Sequence, residues 1–127
     1  MLIPYKDLEG GDAAFKSDAF VRMRQTYGDF EPEGAVSIRV VSRRIFAGGA
    51  PDDLLAGLSP AVKLATLTTP VGLPVWVASD RIEQVRPASA ALHHPDAKAV
   101  VVLSVKDEVT IEQQVRETVA EVAQATA

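Results

Sequence analysis

The chain contains no cysteine. It therefore has no disulfide framework, no thiolate nucleophile and no cysteine-based zinc site. Long apolar runs are also missing: the longest unbroken one, Ala99 to Leu103, is far shorter than the roughly 20 residues needed to cross a bilayer. The N-terminus, Met1-Leu2-Ile3-Pro4-Tyr5-Lys6-Asp7, lacks the basic region and apolar run of a secretion signal. There is no excess of positive charge; the formal net charge is −4. That argues against general affinity for nucleic acid or anionic lipid, where a basic surface supplies most of the binding; a local basic patch stays open, since Arg22, Arg24, Arg39, Arg43 and Arg44 all lie in the first half, where solvated arginines on element surfaces are the ordinary reading. Aromatics are scarce at 6%, with one tryptophan. These absences point to a cytoplasmic protein that needs no membrane.

What is present is an ordinary globular composition, 47% apolar and 24% charged over 127 residues. Valine and alanine carry the apolar content, which favours buried strands. This length supports one domain with a real core. The sequence predicts a single domain over 1–127, with 1–34 as an N-terminal arm or helix and 35–123 as a sheet-plus-helix core.

Within 1–34, Gly10-Gly11 breaks any early element. Phe15, Ala19, Met23 and Tyr27 recur every four residues, the spacing of one helical face. Gly28 then suits a helix stop. From Gly34, Val36, Ile38 and Val40 alternate with Ser37 and Arg39, the period of a half-buried strand, predicted over about Ala35 to Phe46. Pro51, Asp52 and Asp53 open a short helix through Leu58. Gly48-Gly49 before it fits neither the Walker nor the dinucleotide pattern, and two aspartates would repel a phosphate there.

Leu64 to Thr68 reads as a strand, Pro70-Val71-Gly72-Leu73-Pro74 as a turn, and Val75-Trp76-Val77 as its hairpin partner. Ser79-Asp80 turns again, and Ile82 and Val85 belong to a strand ended by Pro87. Ala88 to Ala97 is a loop. Ala99 to Val105 reads as a strand buried on both faces. After the Lys106-Asp107-Glu108 turn, Thr110 with Gln113 fits a capping box. It predicts a helix to about Ala123, with Ile111, Val115, Val119 and Val122 inward and Glu112, Arg116, Glu117 and Glu121 outward.

Leu67-Thr68, the glycine turn, Val75-Trp76-Val77, Asp80 and Ile82, followed by a valine-rich hairpin and a closing Val109-Thr110-Ile111-Glu112-Gln113 stretch, resemble the short bacterial proteins related to the flagellar regulator FlbD. The resemblance spans residues 64–123. It implies a small sheet with one helix and a regulatory or binding role, and it carries over no catalytic residue. The family usually places Asn where Ala78 or Ser79 stands here. Residues 1–60 have no counterpart in such short proteins.

Chemistry-bearing clusters are few. His93-His94-Pro95-Asp96 is the one cluster that invites a metal or acid–base reading, but adjacent histidines share an ion only with special backbone geometry; the ordinary reading is an exposed loop tip. Asp80, Glu83, Asp107 and Glu108 fall at turns or solvent faces. No serine has a histidine placed to activate it. No catalytic residue, metal or cofactor is predicted.

The fold class predicted is α+β: a small antiparallel twisted sheet, a meander of five or six strands, with a C-terminal helix packed on it and one or two short N-terminal helices. Val75–Val77, Ile82–Val85 and Val100–Val105 are expected at its centre. The function predicted is a non-enzymatic binding, regulatory or assembly module of bacterial or phage type. It would act through a protein partner or self-association, with Phe15, Phe20, Met23, Tyr27 and Trp76 as the interface. Alternation sets Trp76 opposite Val75 and Val77. The alternative is a small enzyme or ligand-binding domain with a pocket between the N-terminal half and the sheet, lined by Arg39, Arg43, Arg44, Asp80 and His93.

Overall fold

The computed structural model describes residues 1–27 and 30–126. It is mostly sheet, 46% strand and 17% helix, with ten strands in three sheets and two α-helices among the described residues. The single sheet of five or six strands with N-terminal helices is thus overturned. In chain order the elements are β1 (Leu2–Lys6), β2 (Asp12–Lys16), a 3-10 turn (Ser17–Ala19), β3 (Phe20–Gln25), β4 (Val36–Val40), β5 (Arg44–Ala47) and α1 (Pro51–Leu58). They continue with β6 (Leu64–Thr68), β7 (Pro74–Ala78), a 3-10 turn (Ser79–Arg81), β8 (Ile82–Pro87), β9 (Ala99–Lys106), β10 (Val109–Val115) and α2 (Val119–Ala125).

Written this way, the chain repeats itself: two strands, a 3-10 turn, three strands and a helix, twice over. The repetition reaches single hydrogen bonds. Ser17 N–H donates to the Met1 carbonyl and Ser79 N–H to the Lys63 carbonyl, both at 2.9 Å. In the first hairpin turn Asp7 N–H meets the Gly11 carbonyl and Gly10 N–H the Asp7 carbonyl; in the second, Thr69 pairs with Leu73 and Gly72 with Thr69 in the same way. Gly10 and Gly72 both hold positive φ, 86° and 94°, a conformation that costs other residues a Cβ–carbonyl clash. Gly48 N–H donates to the Lys6 carbonyl and Arg116 N–H to the Thr68 carbonyl, again both at 2.9 Å. A register shift falls between Phe20 and Arg22 on β3, and between Ile82 and Gln84 on β8.

Each unit builds a core of its own residues plus one from its neighbour: Ala78 enters the first core and Val21 the second. In the first, Ile3, Phe15, Phe20, Met23, Val36, Ile38, Val40, Ala47, Leu54 and Leu58 are buried together. In the second, Ala65, Leu67, Val75, Val77, Ala99, Val101, Leu103, Val115 and Val122 do the same. Leu54 on α1 and Val122 on α2 hold equivalent places. Burial of such side chains contributes about 1.5–3 kcal/mol each.

The units are joined edge to edge. β3 of the first pairs antiparallel with β7 of the second, Met23 opposite Trp76, giving a five-stranded sheet in the order β5-β4-β3-β7-β6. The counterparts of that seam, β2 of the first unit and β8 of the second, pair among the described residues only with β1 and β9.

Three expectations fail for local reasons. The Phe15–Tyr27 face is two strands and a 3-10 turn, because Phe15, Phe20 and Met23 reach one core from separate strands. The Ala35–Phe46 strand is two strands, folded back with Ile38 opposite Ile45. The C-terminal helix starts later: Thr110 to Val115 belong to β10, and the capping box is made by Thr118 and Glu121. The expected sheet centre also dissolves, since Val75–Val77 and Val100–Val105 lie in different sheets and Ile82–Val85 on an edge. The Gly28 helix stop lies outside the described residues.

Candidate functional site

The cross-strand register sets four arginines on one sheet face of the first unit. Arg22 stands opposite Arg39, Arg39 opposite Arg44, and Arg24 opposite Ser37. Directly paired residues share a face, and the intervening Met23, Ile38 and Ile45 point the other way into the core. Beyond β3 the same face runs into the core of the second unit.

At that seam is a cleft of about 260 Å³, lined by Arg22, Arg24, Tyr27, Val71, His94 and Gln113 among others. Arg22 donates from Nη1 to Gln113 Oε1 at 2.7 Å and lies 3.4 Å from the Glu112 carbonyl. It has no carboxylate partner among the described residues. Burial first, then the nearby Arg24 and Arg44 charges, lower its pKa to about 10. Arg24 is held by a two-pronged pair with Glu31, 3.0 and 2.8 Å, and lies 4.4 Å over the Tyr27 ring. Glu31 also receives Arg44 at 3.3 Å and the Tyr27 backbone N–H at 2.8 Å. The Arg24 hydrogen bond, more than the others, holds the Glu31 carboxyl below the usual range.

The expected pocket residues do not gather. Arg39 and Arg44 join the arginine face, with Arg39 Nε donating to the Val40 carbonyl at 2.9 Å. Arg43 is exposed. Asp80 lines a separate cleft with Asp18 and Arg81. His93 is tied into its own loop, where Nδ1 accepts the Ser89 N–H at 2.7 Å. His94 alone of that cluster reaches the seam, its N–H donating to Gln114 Oε1 at 2.8 Å. No group of three or more His, Asp or Glu that could hold a metal occurs among the described residues.

The expected interface residues divide as well. Phe15, Phe20 and Met23 are buried in the first core, so they are not an exposed docking stripe. Tyr27 is exposed beside Arg24. Trp76 sits on the opposite sheet face from Val75 and Val77, packed on the first unit's core; the interface it serves lies inside the chain. Reading 15–27 as a helix hid the sheet face that Arg22 and Arg24 share with Arg39 and Arg44. The alternation of Arg22 and Arg24 with Val21, Met23 and Gln25 was the signal that would have found the strand carrying them. Among the described residues, no helix is long and apolar enough to cross a membrane.

No protein-family profile, curated protein or solved structure matches this chain.

Proposed function

We propose that the chain is a non-enzymatic assembly module of bacterial or phage type, acting in the cytoplasm and associating with copies of itself through its strand edges. The observation that carries this reading is the seam. The molecule already demonstrates one unit docking on another by β3–β7 pairing, while the equivalent edges, β8 and β2, remain open. A contact of this head-to-tail kind propagates into a ring or a filament rather than stopping at two. Transferred to the open edges, the seam register sets Gln84 opposite Phe15, Val85 opposite Ala14 and Arg86 opposite Ala13 of the next copy. Open strand edges are templates for such pairing. The FlbD-like resemblance of residues 64–123 supports a binding role from the sequence side; residues 2–58 share the element order of residues 64–125.

Glu83 and Gln84 stand where the internal seam has Val21 and Arg22, so the contact between copies is weaker than the one within a copy. Association should therefore depend on concentration. The absence of native cysteine makes cross-linking a direct test. An Ala14→Cys variant mixed with a Val85→Cys variant should give a disulfide-linked dimer that neither forms alone, and light scattering should show mass rising with concentration. A strict monomer at high concentration overturns the proposal. Cross-linking within a single variant would show like edges pairing and overturn the head-to-tail arrangement.

A further inference from the structure

The repeat supplies an internal control for the arginine face. By register, the second unit has Gln84 at the place of Arg22, Val102 at the place of Arg39 and Glu112 at the place of Arg44. The second unit completes the same strands, turns and helix without those three cations, keeping only Arg86 at the place of Arg24, where it pairs with Glu112. The architecture does not require them, so their grouping in the first unit needs another reason.

Their grouping favours an anion on this face. Arg22, Arg24, Arg39 and Arg44 share one face, and among the described residues Glu31 is the carboxylate paired with members of the group. Arg22 is the most exposed to this imbalance. Its guanidinium is largely removed from water, faces three like charges and is met by an amide and a carbonyl oxygen in place of a carboxylate. A partly buried cation without a counter-charge is costly. An oxyanion entering the cleft would supply that charge, and guanidinium forks match phosphate geometry. The cleft, at about 260 Å³, has room for a small oxyanion. Its walls add the Gln114 amide and the exposed His94; Gln113 already accepts from Arg22 and donates to the Gln114 carbonyl, and the Glu112 carboxylate that also lines the cleft is paired with Arg86.

We propose that the seam cleft around Arg22 is a binding site for a small multivalent oxyanion of the phosphate class, held by the Arg22 guanidinium with Arg24 and Arg44 supplying the surrounding field. This site is independent of the strand-edge assembly, because neither β2 nor β8 lines it.

The test uses the full chain with inorganic phosphate and pyrophosphate as probes, and sodium chloride at matched ionic strength as the control. Phosphate and pyrophosphate should raise the melting temperature in a saturable way, pyrophosphate at lower concentration. Calorimetric titration should give one site per chain. Arg22→Gln, which installs the residue of the second unit, should weaken binding about tenfold or more. Arg44→Gln, at an exposed position, provides a second variant and should weaken it by a smaller factor. A rise no greater than that in chloride, or equal binding by wild type and Arg22→Gln, overturns the site. Should Arg22→Gln not fold, equal binding by Arg44→Gln and wild type at low ionic strength overturns the field described here.

Discussion

The two units trace one path with different surroundings at equivalent places. β3 is paired on both sides, by β4 and β7, and Phe20, Val21 and Met23 on it are all but inaccessible. β8 has the same role in its unit but one neighbour, and Ile82, Gln84 and Val85 on it are half-buried or exposed. The second strands differ at three of their equivalent places: Val75 and Ala78 on β7 are buried and Trp76 half-buried, where Ala13 on β2 is half-buried and Lys16 and Ala14 are exposed; Val77 and its counterpart Phe15 are buried in both. Backbone path alone does not decide burial here. A neighbouring strand does, and the side chains have diverged to suit. The first unit closes its open end with aromatics, Tyr5 against Phe15 and Phe15 against Phe20. The second closes its seam end with valines beneath its neighbour.

The sharpest test of that contrast is truncation at the equivalent pair. Phe20→Ala should cost about 3–5 kcal/mol in urea unfolding. Ile82→Ala, half-exposed on its edge, should cost about 1–2 kcal/mol. Equal costs would show that the seam does not set the burial difference.

Gly10→Ala and Gly72→Ala probe what the units share. Each forces a Cβ into the left-handed region, and each should lose about 1–2 kcal/mol. Both units should suffer alike; a markedly larger loss in one would break the equivalence of the turns.

Helix capping separates the units again. Thr118 caps α2 through a reciprocal box with Glu121, whereas α1 begins at Ala50 with no side-chain cap. Thr118→Ala should lower stability by about 1 kcal/mol, and Ala50→Ser should raise it by up to about 1 kcal/mol. Thermal melts of the two variants should move in opposite directions.

The smallest effect concerns ion pairs. Glu31 has a lowered pKa when folded, so its contribution is complete above the unfolded glutamate value. It is lost as pH falls from the unfolded glutamate value down through the lower folded one. Glu31→Gln should remove about 1 kcal/mol at neutral pH and flatten that acid dependence. Glu112→Gln, which breaks the exposed pair with Arg86, should change stability by less than about 0.5 kcal/mol.

Much of the second unit was legible because its punctuation is strong. Two prolines around Gly72 fix a hairpin, and the apolar stretch from Ala99 can only be buried. The first unit was not, because Phe15, Ala19, Met23 and Tyr27 happen to fall at helical spacing while three of them belong to strands or a 3-10 turn. Thr110 with Gln113 misled in the same way: a capping pattern is local, and the pull of the β9 ladder decided against it. The repeat was visible in principle, since Ser17-Asp18 and Ser79-Asp80 occupy equivalent turns and Gly10 matches Gly72. The arginine face was not legible until β3, β4 and β5 were laid side by side. Periodicity within one strand says which residues share a side, and only pairing says which strands add to it.

Trp76 gives the molecule an optical gauge. As the sole indole, wedged where one unit leans on the other, it emits from the joint and not from either interior. Were the halves to part while each stayed intact, its fluorescence would move to the red with circular dichroism unchanged. Separation and melting thus carry different spectroscopic signatures in the native chain, without any added label.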